Sequence, residues 1–220
     1  MSTPTCADGR RLLVKVCGLR YPDNIAEVAA LRPDMMGFIF WPGSKRCALG
    51  LNPEVTRNLP AGITRVGVFV NATAEEILAT ADEYGLHLAQ LHGDEPPAMC
   101  RRLREKGLGV AKAIGVATGA DLLSAMAYEG CVDLMLFDTK SASYGGTGIA
   151  YDRSLLGRYT GSTPFMMSGG IGSGDAPAIL SLSLPSLAGV DLNSRFETAP
   201  GVKNITALCH FMEAIRDDRP

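Results

Sequence analysis

The chain predicts an α/β protein of the (β/α)8 TIM-barrel class, a single domain over residues 1–220 with a polar N-terminal leader at 1–11. Three observations predict it. About eight β-rich segments occur in order, most of them followed by a helical segment. Many of those segments are apolar on both faces, as strands are when helices cover a parallel sheet. No linker or shift in composition divides the chain. Regular β-then-α alternation also fits an open doubly wound sheet. Eight units in one uninterrupted run favour the closed barrel, and no G-x-G-x-x-G follows the first strand, which argues against dinucleotide binding.

The elements follow from local chemistry. Leu12–Cys17 reads as the first strand, and Pro22-Asp23-Asn24 opens a helix running to Leu31, ahead of the break at Pro33. Met35–Phe40 is a strand-length apolar run, followed by the polar loop Trp41–Arg46. Asn52 caps a short helix with Pro53 at its first position. Thr64–Val70 is β-branched, and Thr73 with Glu76 forms a capping box for a helix ending at Tyr84. The alternation continues with a strand at 87–92, a helix at 95–106, a strand at 109–114 and a helix at 121–128. Leu134–Asp138 is the sixth strand, closed by a glycine-rich loop, 141–148, and a weak helix at 152–159. A seventh strand at 164–168, a short helix at 175–181, an eighth strand at 187–192 and a closing helix at 205–216 complete the pattern.

Composition narrows the function classes. Twenty-one basic against 23 acidic residues give no basic footprint for nucleic acid. No segment approaches the length of a membrane span, and residues 1–11 have no apolar signal-peptide core. Six scattered cysteines show neither a C-x-x-C pair nor metal-ligand spacing, so no metal is expected and a reducing cytoplasmic setting fits.

In a barrel the loops after the strands form one face, where active sites assemble. The special residues of this chain fall at those ends. Lys15 and Cys17 share one face of the first strand because side chains alternate. An ammonium beside a thiol favours the thiolate, a base, while a small buried hydrophobe is the other reading of Cys17. Arg46 follows strand two, Gln90 and His92 end strand four, and Asp138 ends strand six. Gly169 and Gly170 follow strand seven, and Asp191, Asn193 and Ser194 close strand eight. Loops seven and eight often hold a phosphate in such barrels, so Gly169, Gly170, Asn193 and Ser194 are candidates for it; a plain tight turn is the alternative for the glycine pair.

The motifs Lys15-Val16-Cys17-Gly18, Gly37-Phe38-Ile39-Phe40 with Ser44-Lys45-Arg46, and Arg65–Asn71 resemble the phosphoribosylanthranilate isomerase family. So do Gln90-Leu91-His92-Gly93, Phe137-Asp138 with Gly145-Gly146-Thr147-Gly148, Ser168-Gly169-Gly170 and Pro200-Gly201-Val202-Lys203. They run in order from about residue 12 to 216, and the ordered set is far more specific than any one of them. Two departures stand out. Lys45 occupies a position where the family commonly has proline, and Asp191-Leu192-Asn193-Ser194-Arg195 replaces the usual Asp-x-Ser-Ser-Gly. Arg195 either restricts the phosphate loop, adds charge toward the ligand or faces solvent.

The resemblance implies an Amadori rearrangement of N-(5-phosphoribosyl)anthranilate in tryptophan biosynthesis, needing proton transfers and no cofactor. It implies Cys17 as general base and Asp138 as general acid, with a lowered thiol pKa and a raised carboxyl pKa. A carboxylate tied to backbone amides or Lys140 is the structural alternative for Asp138. Arg46 is the candidate for the anthranilate carboxylate, and Lys15, His92 and Asp191 for other substrate contacts; His92 fits a hydrogen-bonding role at the mouth equally well. The expected partner is the small phosphosugar alone, without nucleic acid or membrane, and a monomer is compatible with the chain. Other phosphosugar isomerases or epimerases, and a non-catalytic phosphosugar-binding barrel, are the competing readings. The first would use two carboxylates or a metal-ligand set in place of Cys17.

Overall fold

The computed structural model describes residues 11–139 and 152–216, so residues 1–10 of the leader, Lys140 and the glycine-rich loop at 141–148 lie outside the described residues. Eight parallel strands close into a barrel in sequence order: β1 (Leu13–Cys17), β2 (Met35–Ile39), β3 (Thr64–Phe69), β4 (Leu88–Leu91), β5 (Gly109–Val116), β6 (Leu134–Thr139), β7 (Phe165–Met167) and β8 (Leu187–Leu192). Closure is made by β1 against β8, with Lys15 opposite Asp191. Around them lie α1 (Pro22–Ala30), α2 (Pro53–Arg57), α3 (Ala74–Tyr84), α4 (Pro97–Glu105), α5 (Gly119–Ala125), α6 (Ala176–Leu180) and α7 (Ile205–Arg216).

The helix signals act as their chemistry requires. The Asn52 side chain accepts from Glu54 N–H with Pro53 at the first helical position. Thr73 accepts from Glu76 N–H while the Glu76 carboxylate accepts from Thr73 N–H, and Gly85 ends α3 in the left-handed region. Two segments differ from expectation. Residues 153–158 form a 3-10 helix, and 126–128 a 3-10 turn that continues α5. A small antiparallel hairpin, β9 (Glu197–Ala199) and β10 (Val202–Lys203), follows β8.

Strand alternation divides the core into two layers. Outward side chains such as Val14, Val16, Phe38, Leu91, Phe137 and Phe165 are buried beneath the helices. Inside the barrel, Ala111, Ala113, Leu134, Leu136 and Met166 form an apolar floor with Leu13, Met35, Leu88 and Ala188 packed against it. Small side chains dominate that floor on β5, leaving room above it for larger polar groups at the carboxyl ends of the strands.

Candidate active site

Above the floor the inward positions turn polar. Lys15 is 1% exposed, and its ammonium donates to Gln90 Oε1 on β4 at 2.6 Å and to Asp191 Oδ2 on β8 at 3.0 Å. A bond from β1 to β4 must cross the barrel interior, so this layer seals the bottom of the mouth. Burial works against the Lys15 charge, but Asp191 and Cys17 outweigh it and raise its pKa. The lysine remains an ammonium.

Two residues further along each strand, the next inward layer borders a cavity of about 690 Å³, counting the open space at its rim. Cys17, His92, Asp138 and Asp191 all line it. Ile39, Trp41, Val68 and Val70 give it an apolar wall on the β2–β3 side, while Gly169, Gly170, Asn193 and Ser194 give it a small, polar side at β7–β8. Because β1 lies between β8 and β2, Cys17 sits between these two halves.

The thiol departs from expectation. Burial pushes the Cys17 pKa up; Lys15 pulls it down, Asp191 adds to the rise, and Lys203 opposes it, with a net upward shift. The predicted lowering by Lys15 is therefore present but outweighed, because removing a thiolate from water costs more than one ammonium returns when Asp191 already neutralises that ammonium. Gly37 on β2 makes room for both groups: a Cβ there would stand 2.7 Å from Cys17 Sγ and 3.1 Å from Lys15 Cε.

Asp138 follows expectation. Burial raises its pKa to about 6, against an opposing hydrogen bond from Thr139 N–H to Oδ1 at 2.8 Å. Gly169, at φ +85°, lets the β7 loop pass directly over it; a Cβ there would meet Asp138 Oδ1 at 2.9 Å and collide with Thr139 Oγ1. His92 Nε2 lies 3.6 Å from Asp138 Oδ2. Burial, Lys15 and Lys112 lower the His92 pKa to about 4, so the ring is neutral. Asp191 borders the cavity, and its Oδ1 is buried with no hydrogen-bond partner among the described residues.

Arg46 and Lys15 are placed differently from the other candidates. Neither borders the cavity. The Arg46 guanidinium grips Glu197 through Nε at 2.8 and 3.0 Å and Nη2 at 2.7 Å, leaving Nη1 outside that pair. Glu197 also accepts from the Lys203 ammonium at 2.8 Å, and Lys203 donates to Asn193 Oδ1 at 2.8 Å. The Asn193 side chain is thus turned to Lys203. Sequence reasoning missed Glu197; its only signal was an acidic residue just before the Pro200-Gly201 turn. Arg195 borders the cavity from the 3-10 turn Ser194–Phe196 and does so without a left-handed φ, so its side chain is accommodated at that position. Among the described residues no cluster of histidine, cysteine, aspartate and glutamate has the arrangement of a metal site, and no helix is long and apolar enough to cross a membrane.

Residues 14–214 match the family model for N-(5'-phosphoribosyl)anthranilate (PRA) isomerase. A protein of that name from Phocaeicola vulgatus is 44% identical over 205 residues, covering 93% of this chain and 98% of its own length. The crystal structure of phosphoribosyl anthranilate isomerase from Thermus thermophilus superposes with a TM-score of 0.82 at 29% identity, covering 93% of this chain and 98% of its own. A phosphoribosyl anthranilate isomerase in complex with reduced 1-(o-carboxyphenylamino)-1-deoxyribulose 5-phosphate superposes with a TM-score of 0.76 at 30% identity, covering 93% of this chain and 98% of its own.

Proposed function

This chain belongs to the N-(5'-phosphoribosyl)anthranilate isomerase family, and from that premise we propose that Cys17 and Asp138 act as general base and general acid at its barrel mouth. The reaction converts N-(5'-phosphoribosyl)anthranilate to 1-(2-carboxyphenylamino)-1-deoxyribulose 5-phosphate, an aminoaldose becoming an aminoketose, as a step of tryptophan biosynthesis. Asp138 protonates the ribose ring oxygen as the ring opens to a Schiff base. Cys17 removes the C2 proton, and the resulting enolamine tautomerises to the ketone. The observation that carries the assignment is that Cys17 and Asp138, from β1 and β6, border one cavity beside His92 and Asp191.

The finer roles are part of the same proposal. Thr139 N–H occupies Asp138 Oδ1, so Oδ2 carries the acidic proton. The orphan acceptor Asp191 Oδ1 takes a substrate hydroxyl. The anthranilate ring lies on the apolar wall, with its carboxylate toward Arg46 Nη1, and the phosphate lies at Gly169, Gly170, Asn193 and Ser194, where backbone N–H groups donate to it; the Asn193 carboxamide oxygen accepts from Lys203, which leaves its amide nitrogen as a further donor. Lys15 acts from beneath, on Cys17 and Asp191, without touching substrate.

With the carboxyl at about 6 and the thiol above its ordinary 9.0, the reactive form is the rarer one, protonated acid beside ionised base. Its population is constant between those two pKa values, on the order of 10⁻³ or less of the free enzyme. A fast base in a small fraction of molecules supports turnover across a broad neutral plateau. We place the enzyme in the cytoplasm, consistent with five free thiols among the described residues; light scattering tests the monomeric state. The assignment is tested by following aminoaldose loss with Cys17→Ala and Cys17→Ser. Each is expected to lose at least ~10² in kcat with little change in KM; near-normal turnover of Cys17→Ala overturns it.

A further inference from the structure

His92 ends β4 with a neighbour on each ring nitrogen. Nδ1 lies 3.0 Å from Gln90 Nε2, and Nε2 lies 3.6 Å from Asp138 Oδ2. Gln90 is held in turn by the Lys15 ammonium, 2.6 Å from its Oε1. An ammonium has donors only, so the amide atom facing Lys15 is the oxygen, and the nitrogen must face the histidine. That nitrogen also only donates, so His92 Nδ1 is an acceptor. A neutral ring with Nδ1 as acceptor carries its proton on Nε2, pointing at Asp138.

We propose that His92 is a positioning residue presenting a neutral Nε2–H donor to Asp138, its tautomer dictated from across the barrel by Lys15 through Gln90. The proposal rests on Asp138 as the acid of the reaction. As Asp138 gives up its proton, a carboxylate appears in a buried site, and the donor closes on Oδ2 to stabilise it. Such contacts are commonly long before substrate binds and shorten as charge develops.

Neutrality is as important as direction. An imidazolium at this position would hold Asp138 ionised and abolish the acid. The charges and donors around the ring act against that outcome: the ammonium of Lys15 on β1, the Gln90 amide hydrogens, and the ammonium of Lys112, held on the outer face of β5 by the carbonyls of Leu91 and Gly93, while Val68 on β3 and Val70 just beyond it are apolar. Asp138 on β6 stands 3.6 Å from Nε2, Asp191 and Cys17 border the same cavity, and Glu95 pairs with Lys112. Lys15 thereby influences both halves of the reaction, the thiol directly and the acid both through its charge and through Gln90 and His92.

Nitrogen-15 NMR of the intact, histidine-labelled protein, with His92 assigned by its loss in His92→Gln, tests the tautomer. A protonated Nε2, unprotonated Nδ1 and no titration down to about pH 5 are expected; a proton on Nδ1 at neutral pH overturns the proposal. His92→Gln, whose amide can still donate, is expected to exceed His92→Leu by at least ~10-fold in kcat at similar KM; equal kcat in the two overturns the role. Gln90→Glu supplies an acceptor to Nδ1 and is expected to move the proton there or create an imidazolium. Its kcat then falls at least ~10-fold, and the rising limb of the pH profile moves below about 6. A swapped tautomer with unchanged kcat overturns the proposal as well. Failure of the acid assignment itself would show separately, as normal turnover of Asp138→Asn with the His92 tautomer intact.

Discussion

Replacing Asp138 by asparagine tests the acid through stability as well as rate. The Asp138 carboxyl stands at about 6 in place of its ordinary 3.8, chiefly because it is buried. At 1.36 kcal/mol per pKa unit, ionising it in the folded protein costs about 3 kcal/mol more than ionising it in the unfolded chain. Its side chain is only 14% exposed, so solvent screening removes little of that cost. The raised folded pKa means that the native state holds this proton more tightly than the unfolded state. The stability gained from it is therefore complete below the unfolded value near 4 and is lost as pH rises through about 6. Asparagine is neutral throughout and escapes the loss. The unfolding free energy of Asp138→Asn minus that of the parent should increase by about 3 kcal/mol from pH 4 to pH 7 and then stay level. Urea unfolding of both proteins across that range measures it, and turnover measured on the same preparations should show kcat reduced at least ~10²-fold. A stability difference independent of pH refutes the buried carboxyl, and near-normal kcat refutes its role.

Other perturbations address the surroundings. In kcat/KM, a limb rising to about pH 6 and a fall only above the ordinary thiol value of 9.0 are expected from the two free-enzyme pKa values; an optimum confined below pH 6 would contradict the inverted protonation pattern. Gly37→Ala puts a methyl 2.7 Å from Cys17 Sγ, and should cost about 1–3 kcal/mol of stability by overpacking while kcat drops more than KM changes. Lys15→Met leaves the buried Asp191 carboxylate unpaired and should destabilise by about 3–5 kcal/mol, with Lys15→Met/Asp191→Leu recovering much of the loss in denaturant melts. Phe165→Ala empties a space shared with Phe137 and Tyr159, whose ring centroids lie 5.0 and 5.6 Å away. It should cost about 3–5 kcal/mol by thermal or urea unfolding.

Much of this architecture is written in short-range chemistry. Asn52-Pro53 and the Thr73–Glu76 pair mark helix starts because their side chains satisfy backbone groups within the same turn. Two-residue alternation likewise puts Cys17 on the same face as Lys15, and the strand end places Gln90 and His92 together at the mouth. The hairpin at β9 and β10 escaped because its strands have three and two residues, too short to carry a period. Glu197 escaped with it: its value lies in meeting Arg46 and Lys203, and that meeting exists only once the chain end after β8 folds back over the mouth.

The direction of the Cys17 shift was illegible for a deeper reason. A strand pattern reports which side chains are neighbours, whereas a pKa depends on how those neighbours compare with the water they displace. Lys15 adjoins Cys17 in the chain pattern, but eight strands must close before Asp191 can neutralise Lys15 and the apolar floor can bury all three. Closure raises thiol and carboxyl together, since burial disfavours the charged form of each. The proposed acid is thereby poised near neutrality, and the proposed base is left dependent on the ammonium beneath it. The same lysine, by fixing Gln90 and hence His92, supports the acid too. A substitution at Lys15 should consequently disturb both limbs of the pH profile at once, whereas one at Gln90 should disturb chiefly the limb near 6.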